Sequence, residues 1–240
     1  MKKAILFLAL SAVAIAQILV GVTGGSPVTS SSTTFTLLAH VEAQNTGTSP
    51  AVTITGVNTG EMLLVIGEGT GNGITLSSVT GSGVDAWTVV GSGTQSATNG
   101  YNSYIAVGKA TVSGSVTATL TFSGSGLTSA TQSISRVSSS ATFPASASIK
   151  DNYGTARGLT LGSNSGNYTV ASGTEMAVAV YAGMYNATRA VPSGWNTIYC
   201  PSNYGICAAW FPVTAAGTAT FTTSGTAIDW QVSTATLKGQ

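Results

Sequence analysis

The sequence predicts an all-β protein, a two-sheet antiparallel β-sandwich, and three observations carry that expectation. Short apolar runs with a two-residue period recur along most of the chain between clusters of Gly, Asn and Ser. No window of useful length keeps apolar residues at the three- and four-residue spacing of an amphipathic helix. Charged residues make up only 6 % of the chain, whereas Gly alone supplies 30 residues and Ser and Thr fill much of the rest. Such a composition suits strands, because Thr keeps a solvent face wet without charge.

The N-terminus is a different kind of segment. Met1-Lys2-Lys3 precedes an apolar run from Ala4 to Val13, and Ala14-Ile15-Ala16 places small residues where a signal peptidase reads them. Cleavage after Ala16 is the expectation. Hydrophobicity continues through Gln17-Ile18-Leu19-Val20-Gly21-Val22, however, and the whole stretch of about 19 residues would span a bilayer if it stayed attached. From Gly24 to Ser32 the chain reads GGSPVTSSS, a linker composition. The predicted organisation is a signal peptide over 1–16, an apolar arm and linker over 17–32, and a β-sandwich over 33–240.

Strands are predicted at Phe35–Ala43, Ala51–Thr55, Met62–Glu68, Ile74–Thr80, Ala86–Val90 and Tyr101–Ala110. The second half adds Ser115–Ser123, Ser129–Val137, Glu175–Met184, Trp195–Tyr199, Ile206–Val213, Thr218–Thr223 and Ala227–Leu237. In Val116-Thr-Ala-Thr-Leu120-Thr-Phe122 the apolar residues face one way and the threonines the other. Ser138–Gly166 is less regular and is read as a long surface excursion. The number and spacing of strands fit either an immunoglobulin-like or a jelly-roll arrangement, and pattern alone does not choose.

Composition also bounds function. Without Lys2 and Lys3, six basic residues stand against seven acidic ones, with no basic cluster to hold nucleic acid. Ser-His-Asp catalysis needs a base beside the serine, but the single histidine, His40, lies on a strand face with Glu42, and no Gly-x-Ser-x-Gly elbow occurs. The carboxylates form no tell-tale glycosidase pair. Glu61 and Glu175, each ahead of a strand that begins with Met, read as charges that oppose edge aggregation. Gly67–Gly73 lacks the Lys and helix of a phosphate loop and reads as a flexible strand connection. Asp151 and Asn152 are too few for a convincing calcium site. No enzyme activity, metal or cofactor is expected.

The remaining candidates concern the surface. Cys200 and Cys207 flank a turn-rich insert and are expected to form a disulfide, as in an exported protein. Asn167 and Asn186 head glycosylation sequons. Trp210 and Trp230 sit in apolar strand contexts that suit core packing, whereas Tyr181, Tyr185, Tyr199 and Tyr204 are candidates for an exposed aromatic patch that stacks on glycans.

Several phrases resemble a β-sandwich domain of secreted and surface proteins of bacteria. They are Val57-Asn-Thr-Gly-Glu-Met-Leu-Leu-Val65, Ser78-Val-Thr80 leading to Trp87-Thr88, Tyr104-Ile-Ala-Val-Gly-Lys-Ala110 and Val116–Phe122, followed by Pro192-Ser-Gly-Trp195, Ala215–Phe221 and Trp230–Lys238. The resemblance spans roughly residues 51 to 238, implies the fold and brings no catalytic residues. By architecture alone, the apolar arm and linker ahead of an all-β body look similar to microbial surface filaments whose subunits donate an N-terminal strand to a neighbour.

The functional expectation is therefore a secreted, extracellular structural subunit whose partner is its own kind. Ile18, Leu19, Val20 and Val22 would be the inserting side chains of an exchanged strand. The alternatives are a carbohydrate-binding or adhesive module, and a membrane-anchored cell-surface or virion protein that keeps Ala4–Val22 as an anchor.

Overall fold

The computed structural model describes residues 36–45, 49–71, 73–92, 100–124, 126–127, 129–138, 165–170, 175–183, 191–202, 204–213, 217–222 and 230–238. The chain divides into two units, Met1–Ser31 and Ser32–Gln240, and every described strand belongs to the second. Outside the described residues lie the expected signal segment, the expected arm with Ile18, Leu19, Val20 and Val22, the stretch 139–164, Tyr185 and Asn186.

The regular structure described is entirely β, as the alternating sequence requires. In chain order the strands are β1 (Thr36–Asn45), β2 (Ala51–Val57), β3 (Met62–Thr70), β4 (Thr75–Thr80), β5 (Val84–Ser92), β6 (Tyr101–Ala110), β7 (Gly114–Ser123) and β8 (Ser129–Ser138). The second group is β9 (Ser165–Val170), β10 (Glu175–Gly183), β11 (Asn196–Tyr199), β12 (Ile206–Val213), β13 (Gly217–Thr222) and β14 (Trp230–Lys238). All their pairings are antiparallel.

The first eight strands settle the topology. β1 pairs with β8, β2 with β7 and β3 with β6, so the chain runs out and back as one long ribbon. Successive rungs of that ribbon alternate between a sheet ordered β1-β8-β3-β6-β5 and a sheet ordered β2-β7-β4. That coiling is a jelly roll, not an immunoglobulin-like key. Its one departure is β5, which pairs with β6 on the larger sheet.

The two-sheet expectation holds for this jelly roll, but the larger sheet is covered on both faces. On one side Leu63, Val65, Ala106 and Ile134 pack on Val52, Ile54, Leu76, Val116 and Leu120 of the three-stranded sheet. On the other side Leu64, Ile66, Ile105 and Val107 meet Met176, Val178, Val180, Ile206 and Ala208, from a sheet ordered β11-β12-β10-β14. The outer face of that sheet is capped in turn by Phe221, from the two-stranded β13-β9 sheet, over Tyr181, Cys207 and Val232. A strand between two layers can bury apolar residues on both faces, which is why β3 begins Met-Leu-Leu-Val-Ile without alternation.

Two sequence readings change here. The strand expected to end at Glu68 runs on to Thr70, so the first four residues of the Gly67–Gly73 run belong to β3 and not to a flexible connection. A Cβ on Gly67 would overlap the Tyr104 ring and the Thr131 carbonyl, and one on Gly69 would lie 3.0 Å from both Ile74 and Phe122. These glycines thus make room for neighbours and do not loosen the backbone. Ser165–Val170, left without a strand in the sequence reading, forms β9 through its pairing with β13.

Candidate functional site

The β11–β12 connection is held by the Cys200–Cys207 disulfide, the bond expected from the cysteine spacing. This loop carries Tyr204 and Gly205 toward the central sheet, where a cleft of about 240 Å³ opens. Its walls include Gln44 of β1, Glu68 and Thr70 of β3, Tyr101 of β6 and Gly183 of β10. A second recess of about 170 Å³, walled by Glu42, Ala43 and Tyr199, shares Gln44 and Tyr204 with the first.

Glu68 reaches the cleft by strand parity. It follows Leu64 and Ile66 at two-residue steps and is 6 % exposed. The loop seats against it closely: the Gly183 amide donates to the Gly205 carbonyl at 2.8 Å, and a Cβ on Gly205 would stand 2.6 Å from Glu68 Oε2. Glycine at 205 is therefore a condition of the cleft's shape. Burial raises the Tyr199 hydroxyl pKa, and the carboxylates of Glu42 and Glu68 and the Tyr204 phenol add to that direction. Burial and Glu68 likewise push the Tyr104 hydroxyl upward.

The expected aromatic patch is not formed as predicted. Tyr181 is fully buried because β10 lies between two layers and both of its faces are covered, and Tyr199, at the end of β11, is 8 % exposed where it packs into the core shared with the central sheet. Tyr204 alone of the described candidates is partly exposed, and it stands as one wall of the cleft, not as an open platform. Asn167 lies in β9. Trp210 packs partly buried against the core, as its apolar strand suggested. His40 Nε2 and Glu42 Oε1 are 3.0 Å apart on an exposed strand face.

Sequence reasoning missed Glu68, Gln44 and Thr70. The signal for Glu68 lies inside the strand expected over Met62–Glu68, where two-residue steps from Leu64 and Ile66 put its side chain on their face. Chemically, the cleft offers carboxylate and amide oxygens and phenolic hydroxyls to a small polar ligand. Among the described residues no group of three or more His, Cys, Asp or Glu side chains could hold a metal ion, and no helix is long and apolar enough to cross a membrane.

Comparison with known protein families, with curated proteins and with solved structures found no match for this chain.

Proposed function

We propose that this protein is a non-catalytic, extracellular structural subunit that assembles with copies of itself, the apolar arm around Ile18, Leu19, Val20 and Val22 serving as a strand donated to a neighbour. The supporting observation is the outermost layer. On its outer face the four-stranded sheet is covered by only two strands, β9 and β13, among the described residues. Two strands alone are marginal, and among the described strands each has only the other as its neighbour, so a further strand could pair with their outer edges. The jelly roll, by contrast, has its full set of eight strands, so the arm has no missing rung to fill there. The disulfide fits an oxidising compartment.

The test is deletion of residues 17–25 from the exported protein, with assemblies examined by electron microscopy. Polymers should disappear while the monomer keeps its fold. Unchanged polymers would reject the donated strand.

A further inference from the structure

β1 is an edge strand of the central sheet, with β8 as its one neighbour among the described strands. Exposed sheet edges are usually blunted by bulges, Pro, Lys or short length. β5, the opposite edge, shows two register shifts in its pairing. The edges β2, β4 and β11 each show one. β14 is regular, but Val232 to Ala235 are all buried, so its two faces are covered. β1 differs from all of these: it has ten residues without Pro or Lys, and its single shift lies between Leu37 and Ala39, which leaves 39–45 regular. Two large hydrophobic side chains, Leu38 and Val41, stand 45 % and 39 % exposed on it.

A strand edge can pair with its own copy about a two-fold axis, and the charges on β1 select the register. Antiparallel pairing keeps facing side chains on the same side of the sheet. Centring on Glu42 would oppose two carboxylates, and centring on His40 would oppose two imidazoles. Centring on Val41 sets Val41 against Val41 and His40 against Glu42 twice, with Ala39 against Ala43. An imidazole N–H donates to a carboxylate, so each His40, already 3.0 Å from its own Glu42, also faces Glu42 of the other copy, and the exposed Val41 is covered.

We propose that two copies of this protein join through β1, antiparallel and centred on Val41, to make one continuous sheet across both subunits. The contact rests on the self-assembly reading but uses a surface separate from the arm.

Cysteine at a two-fold centre tests the register directly, because facing Cβ atoms in such a pair sit about 4.5–5.5 Å apart, close to disulfide range. The full chain carrying Val41→Cys should give an oxidised dimer whose cross-linked peptide joins residue 41 to residue 41, and Gln44→Cys should not. Sedimentation gives the second reading: His40→Glu should weaken the dimer roughly tenfold by setting like charges opposite one another. The double variant His40→Glu/Glu42→His should restore it. Absence of the 41–41 peptide, equal cross-linking at 44, or a dimer indifferent to His40→Glu would overturn the proposal. Deleting residues 17–25 separates the two ideas: it should remove polymers and leave the β1 dimer intact.

Discussion

Glu61 immediately precedes β3, and its carboxylate takes a two-point contact from Arg136 of β8, with Nε to Oε2 and Nη2 to Oε1 both 2.7 Å. The Asn58 side-chain and backbone N–H groups donate to the same carboxylate at 2.7 and 3.1 Å. The two charged side chains are only 12 % and 15 % exposed, so the pair is far from a solvated surface bridge. A charge placed to discourage edge pairing was the sequence expectation for Glu61, but its role in the structure is to tie the turn before β3 to β8. The Arg136 contact, opposed by burial and aided by the Asn58 hydrogen bonds, lowers the Glu61 pKa from 4.5 to about 2. A carboxyl whose pKa is lowered on folding stabilises the fold above its unfolded pKa, and that contribution is lost as pH falls through the folded value. A displacement of this size corresponds to roughly 3 kcal/mol. The melting temperature should therefore fall between about pH 4.5 and pH 2, and Glu61→Gln should flatten that part of the curve while lowering stability at pH 7. Identical pH dependence in the wild type and the variant would show that the pair contributes nothing.

At the level of elements, the disulfide and the strand faces carry the argument. Cys200 and Cys207 are seven residues apart, and closing so short a loop restricts the unfolded chain by about 2 kcal/mol. Replacing both with alanine should cost that amount in urea unfolding. It should also raise amide exchange in 200–207, where the loop carries Tyr204 and Gly205, and leave β3 and β6 protected. Unaltered exchange in the loop would mean that packing, not the bond, holds it. The disulfide and most strands were legible in the sequence because spacing and two-residue alternation are local signals. The layers were not. Ser133 and Ser135 of β8 alternate with Ile134 as a half-solvated strand would, yet all three are buried, since the faces of the central sheet meet two other sheets. Burial of Tyr181 has the same origin, and no local pattern announces a layer supplied by strands far along the chain. Gly69 misled for another reason. A glycine that makes room for Ile74 and Phe122 and a glycine that loosens a loop are the same letter.

At the scale of the whole molecule, the jelly roll is complete in topology but not in burial. Residues 36–138 contain all eight of its strands, yet Met62, Leu64, Ile66, Ile105, Val107 and Val137 pack against side chains of β10, β11, β12 and β14. Each large apolar side chain returned to water costs about 1.5–3 kcal/mol, so uncovering this face forfeits on the order of 10 kcal/mol, as much as a typical domain has in total. The segment 33–138 produced alone should therefore lack a native state: it should bind a hydrophobic dye, elute as aggregate and show poorly dispersed amide resonances. Threonine at Leu64, Ile66, Ile105 and Val107 would turn the uncovered face into one that water tolerates while preserving β propensity, and should recover a monomer. If the unaltered segment instead unfolds cooperatively as a monomer, the second group of strands is an attachment to a self-sufficient jelly roll, and the central sheet does not need both of its neighbours.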